Sequence, residues 1–260
     1  MKKLQISILG VTAGLALALA GTPANADGYV RGSVKDAPCC DSWSGFYVGI
    51  HGGYGWKDND FAKVIAVNPL VTIGGIESSG SVFGGQAGYN WQRGPVVGGL
   101  EIDFSTSNIS GNSAPVIRNF GGGLTITDTQ GDDVKYLGTV RGRLGFAPGG
   151  CCSNFLVYGT AGLAWERVDR IDTQVLVAPG VSQTVVTRDP RDWFGWVVGA
   201  GVEAKLAGTG WIGRIEYLHY DFGSVETTTT VVTTPGANSF SDSAGKQTID
   251  VVRAAISYKF

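Results

Sequence analysis

Charge is scarce in this sequence: Asp, Glu, Lys and Arg make up 16% of 260 residues, against about 25% in an ordinary soluble domain. The 20 basic and 22 acidic residues leave a net charge of −2, which offers no electrostatic footprint for nucleic acid. Methionine occurs once, and after the first segment there is almost none of the Ala-Leu-Glu-Lys patterning that helices favour. No later apolar run is long enough to cross a membrane as a helix. No G-x-S-x-G is present, and the Gly-rich stretches at 84–90 and 121–125 are not followed by Lys-Ser/Thr and a helix. A hydrolase elbow and a phosphate loop are thereby excluded. What abounds is glycine, 41 residues without a collagen triplet period, together with Thr and aromatics. At 43% hydrophobic the chain is too apolar to be mostly disordered. A Gly- and aromatic-rich β protein remains.

Residues 1–26 have the layout of an export signal. Lys2 and Lys3 precede an apolar stretch from Ile6 to Ala20, and Ala24-Asn25-Ala26 supplies the small-residue cleavage site. The stretch is shorter than the roughly 20 residues a spanning helix needs, so the mature chain is predicted to begin at Asp27. Removing Lys2 and Lys3 takes the charge from −2 to −4. Residues 27–45 read as an irregular periplasmic lead-in, and residues 46–260 as one β domain.

Period-two alternation predicts eight strands, near 46–58, 81–92, 96–107, 133–146, 155–170, 192–206, 211–225 and 247–260. Their connections alternate long, short, long, short, long, short, long. In an antiparallel up-and-down sheet this segregates every long loop to one end and every tight turn to the other. That is the pattern of a transmembrane β-barrel with short periplasmic turns and longer extracellular loops. The fold expected is therefore all-β: an eight-stranded antiparallel up-and-down transmembrane β-barrel.

The two faces of each strand differ. In the last strand Val252, Ala254, Ile256, Tyr258 and Phe260 share one face, and Arg253, Ser257 and Lys259 the other. The same split sets Leu100, Ile102 and Phe104 against Glu101 and Asp103, and Ile215 and Tyr217 against Arg214 and Glu216. Val140 and Leu144 oppose Lys135, Thr139, Arg141 and Arg143; Val198 and Val202 oppose Glu203 and Lys205. A narrow lumen would hold Glu101, Asp103, Glu203 and Glu216 against Arg141, Arg143, Lys205, Arg214 and Arg253, a nearly balanced set. Tyr54, Trp56, Trp91, Trp165, Trp193, Trp211 and Tyr220 are expected at strand ends as interfacial girdles.

The stretch WSGFYVGIHGGYGW (43–56) resembles the opening strand of alphaproteobacterial outer-membrane β-barrel proteins of the porin family. VVRAAISYKF (251–260), SVFGGQAGYNWQ (81–92) and YLGTVRGRLGFA (136–147) are similar to that family too. The resemblance implies a cell outer membrane location among lipid and lipopolysaccharide. It also implies an assembly signal at Tyr258 and Phe260, read by the barrel-assembly machinery. It implies a surface antigen or structural barrel, with a narrow channel or hemin binding as rivals; His219 would be the hemin candidate. No catalytic residue, metal site or other cofactor is expected, and oligomeric state is left open.

Two adjacent cysteine pairs, Cys39-Cys40 and Cys151-Cys152, fall before the first strand and in a short turn. Both would face an oxidising compartment, where disulfides persist, but spacing leaves their connectivity undetermined. His51 is expected as a hydrogen-bonder inside the lumen and His219 as a polar interfacial residue.

Overall fold

The computed structural model describes residues 42–59, 62–65, 71–73, 76–119, 122–206, 208–232 and 237–260. In chain order its strands are β1 (Gly45–Asn59), β2 (Ala62–Ile65), β3 (Val71–Ile73), β4 (Ile76–Arg93), β5 (Val96–Asn112), β6 (Val116–Asn119), β7 (Thr125–Phe146), β8 (Phe155–Ala178), β9 (Val181–Lys205), β10 (Trp211–Val232) and β11 (Ala237–Lys259). Eight of them form a ring in the order β1-β4-β5-β7-β8-β9-β10-β11, and β11 pairs back onto β1. That seam runs antiparallel from Tyr47↔Lys259 to Asn59↔Gln247. Closure pairs the backbone around the wall, which a hydrocarbon setting demands. No helix among the described residues is long and apolar enough to cross a membrane; the strands do the crossing.

Alternation fixes what each face meets. Ile50, Phe83, Leu100, Ile102, Leu144, Leu163, Ile215 and Ile256 point outward and are exposed, while neighbours such as His51, Val82, Glu101, Arg143, Arg214 and Ser257 are buried within the ring. Aromatics band this outer wall twice. At the short-turn end Phe46 packs edge-on against Tyr89, and Trp211, Tyr258 and Phe260 form a chain of ring contacts. At the other end Tyr54 and Trp56 are exposed, and Phe104 stacks on Tyr136 and Trp165. From Phe46 to Trp56 a tilted strand climbs about 25 Å, the height of the apolar band of such barrels.

Several expectations need correction. The stretches expected as long loops are largely strand. β8 continues to Ala178 and β9 starts at Val181, joined by Pro179 and Gly180. Gly180 has φ +76°, a conformation glycine adopts freely after a turn proline. The Thr- and Val-rich segments on either side favour extended backbone, so loop composition here conceals a hairpin that rises above the wall. Likewise β10 and β11 stay paired up to Val232↔Ala237.

Trp193 and Tyr220 do not join the girdle. Both fall on the inward phase of their strands, where Tyr220 is buried and Trp193 packs against the interior cluster. Lys135 leaves the inner face because a bulge between Val134 and Tyr136 changes the phase. Its side chain is 41% exposed and pairs with Asp133. Trp43, expected in the irregular lead-in, is fully buried inside the ring.

Candidate functional site

The inward side chains form three layers. The floor, at the short-turn end, is the apolar set Trp43, Val97, Ala147, Leu156, Tyr158 and Ile212. Trp43 is seated by its indole Nε1–H, which donates to the Ser153 carbonyl at 3.1 Å, and by its backbone N–H, which donates to Gln92 Oε1 at 2.8 Å. Lys205 was expected among the lumen ions. It sits at this level instead, with Nζ 4.5 Å from the centre of the Trp43 ring, because it lies only two residues beyond Glu203 at the strand's lower end.

Above the floor lies an ionic layer. Arg214 donates through Nε to Glu203 Oε1 at 2.7 Å and reaches Glu101 through Nη1 at 2.9 Å and Nη2 at 2.7 Å. Arg143 binds Glu203 at 2.5 Å and Glu101 at 3.5 Å. Arg141 binds Glu101, Asp103 (2.9 Å) and Glu216 (3.1 Å). Arg253 meets Glu216 at 2.7 Å and Asp103 at 3.3 Å. The layer thus holds four guanidinium groups and four carboxylates, every one buried, for a net charge of zero. Hydroxyls add further hydrogen bonds: Tyr47 donates to Glu101 at 2.6 Å, Tyr158 to Glu216 at 2.7 Å, and Thr139 to Asp103. Such a cluster is tolerable only because each charge faces opposite charges and hydrogen-bond donors in fixed geometry.

Glycine makes this layer fit. A Cβ on Gly201 would approach the Tyr158 hydroxyl to 2.6 Å, and one on Gly88 would clash with that of Tyr47. Small inward residues on one strand therefore house the long side chains of the next.

The third layer is apolar and includes Val82, Ile109, Val134, Leu137, Val168, Val197, Leu218, Tyr220, Phe222, Ile249 and Val251. Set among these side chains, buried Lys57 stands 3.7 Å from Asp132. With its amide oxygen turned to Lys57 and its nitrogen to Glu166, Gln247 would bridge Lys57 Nζ (3.0 Å) and Glu166 Oε1 (3.1 Å). Alternation alone could have found Lys57 and Glu166, since both share the inward phase. Trp43 lies ahead of the first strand, on the inward parity of Tyr47 and His51.

The two histidines part company. His51 is in the lumen, with Nδ1 2.5 Å from Gln86 Oε1 and Nε2 2.7 Å from Ser105 Oγ. Serine, imidazole and amide are thus aligned as a nucleophile and base would be. All three are buried, however, and Arg253 Nη1 lies 3.3 Å from the same Nε2. His219 is on the outer wall at the upper girdle, its Nδ1 2.7 Å from Asp250 Oδ1 and its ring 5.9 Å from that of Trp196. Tyr258 and Phe260 face outward at the lower girdle, and the Phe260 N–H donates to the Phe46 carbonyl at 2.9 Å. Cys152 is exposed in the 3-10 turn Gly150–Cys152, whereas Cys39 and Cys40 lie outside the described residues.

The family model for the outer membrane protein beta-barrel domain matches residues 12–260. The 31 kDa outer-membrane immunogenic protein of Brucella melitensis is 31% identical over 229 residues, 84% of this chain and 84% of that protein. A 22 kDa outer membrane protein of Rhizobium leguminosarum is 32% identical over 185 residues, covering 70% of this chain and 66% of the relative. Among solved structures, the outer membrane protease OmpT of Escherichia coli aligns with TM-score 0.41 and 11% identity, over 83% of this chain and 97% of that one. The ring of eight strands, its lipid-facing wall and these relatives agree: the chain belongs to the outer membrane β-barrel protein family, and its location is the cell outer membrane.

Proposed function

We propose that this protein is a closed, non-conducting barrel that supports the envelope and displays extended hairpins on the cell surface. The observation that carries the reading is the filled interior, floor to top. An eight-stranded ring has room only for its own side chains, and here Trp43, the eight-ion layer and the apolar layer above it occupy that room. The hairpins supply the other half. β8 and β9 run on beyond the girdle to the Pro179-Gly180 turn, where Val177, Val181, Val185 and Val186 stay exposed. This is surface available for contact, and it suits a protein whose relatives are named immunogenic. Chemistry is not part of the reading, since the Ser105–His51 pair is sealed off from any substrate.

In a planar bilayer the purified protein should give no steady current. A large, persistent open conductance would overturn the plugged reading and favour a channel.

The reading includes processing and anchoring. Cleavage after Ala26 would release a lead-in whose cysteines precede Trp43 by only three and four residues. Trp43 docks on Ser153, which directly follows Cys152, and this supports disulfides between the two cysteine pairs. Thiol alkylation of the unreduced, denatured protein should then label fewer cysteines than alkylation after reduction. Equal labelling would show that the thiols are unpaired.

A further inference from the structure

A carboxylate, Asp250, lies on the outward phase of β11 at the level of the upper aromatic girdle. Asp250 lies between buried Ile249 and Val251, so its phase is toward lipid. It sits at the upper girdle, opposite Trp56 on β1 and His219 on β10. The Tyr217 hydroxyl donates to Asp250 Oδ1 at 2.5 Å, and His219 Nδ1 stands 2.7 Å from the same oxygen. An ionised carboxylate has no proton, so the imidazole donates Nδ1–H to it. Both described bonds fall on Oδ1. The niche therefore presents a carboxylate oxygen, Oδ2, as its open acceptor.

Its walls are aromatic. Trp56 is the direct cross-strand partner of Asp250, with Cβ atoms about 5 Å apart in such pairs. Trp196 packs beside His219 at 5.9 Å. Tyr54 and Tyr217 flank Val252 one rung below. All four rings are between 41% and 53% exposed. A carboxylate among exposed aromatic side chains at the depth of lipid head groups suits an organic cation. A carboxylate on the lipid face is otherwise a cost, tolerable only near the interface.

We propose that Asp250, His219 and Tyr217, with Trp56, Trp196 and Tyr54, form a site on the outer wall for the ammonium group of a membrane lipid. The lipid's acyl chains would lie against the apolar wall below, and its ammonium would take Oδ2 and the ring faces. The site stands apart from the lumen and does not depend on whether the barrel conducts.

The test uses wild-type and Asp250→Asn protein, each shown to be folded by heat-modifiable gel migration. Both are placed in nanodiscs of equal phosphatidylcholine, phosphatidylethanolamine and phosphatidylglycerol, then released into a native mass spectrometer. Wild-type protein should retain ammonium lipids over phosphatidylglycerol by about fivefold or more, and Asp250→Asn should bring the ratio close to one. The choline and ethanolamine arms tell a quaternary from a primary ammonium. Retention without head-group preference, or a preference unchanged in Asp250→Asn, would overturn the proposal. So would a divalent cation at the niche, stripped by chelator, in place of lipid. Should Asp250→Asn fail to fold, Trp56→Leu takes its place and is read in the same way.

Discussion

Replacing Arg214 with alanine should lower the free energy of unfolding by about 3–5 kcal/mol. The guanidinium contacts both oxygens of Glu101 and one of Glu203, all within a layer that excludes water. Without it, four carboxylates face three guanidinium groups, and the surplus charge has no solvent to turn to. The effect comes from stranding a partner; replacing the whole cluster with well-packed apolar side chains is a different change and need not destabilise. Lys135→Ala is the proper control. That lysine also has a carboxylate partner, Asp133, but at 41% exposure the pair should contribute less than about 1 kcal/mol. Denaturant unfolding in detergent, followed by loss of the heat-modifiable band, compares the two. If both variants unfold alike, the inner layer is wet and does not hold the barrel together.

Deleting Phe260 should remove most of the protein from the outer membrane while leaving the folded barrel nearly as stable as before. Its ring is 74% exposed and touches only Tyr258 among ring neighbours. Its backbone adds one hydrogen bond to a seam that already runs from Tyr47↔Lys259 to Asn59↔Gln247. Losing one exposed side chain and one bond of about 1 kcal/mol cannot account for a failed fold. A collapse of outer-membrane levels in cells, alongside unimpaired refolding into detergent, would therefore assign Phe260 to recognition by the assembly machinery. Undiminished outer-membrane levels would dismiss the signal. Parallel loss in both settings would make Phe260 a structural residue.

How far the sequence could be read depended on whether a residue's role follows from its own phase. Arg141, Arg143, Arg214, Arg253 and their four carboxylates were legible because a strand offers only two faces, and charge is costly against the hydrocarbon middle of a bilayer. Tyr220 and Trp193 were misplaced where residue type was weighed above phase: an aromatic near a strand end suggests a girdle, yet both are on the inward parity. Lys135 was misplaced for the opposite reason, since a single-residue bulge reverses parity and leaves no compositional mark. Loop lengths were overestimated because Thr, Ser and Asn serve in exposed hairpins as well as in loops, and only pairing tells the two apart.

Alternating faces, the segregation of turns and the terminal aromatic follow from local chemistry repeated along the chain, so the sequence by itself determined a transmembrane eight-stranded barrel. Which ion meets which, the descent of Lys205 to the Trp43 ring, and the apolar layer above the charges are different in kind. They depend on the stagger between strands, which brings Glu101 of β5 to Arg214 of β10 across the lumen although the two strands are never neighbours in the ring. A strand's own sequence specifies the face on which a side chain points. The height at which it meets a side chain from the opposite wall is set by closure of the whole ring, and only the tertiary structure decides that.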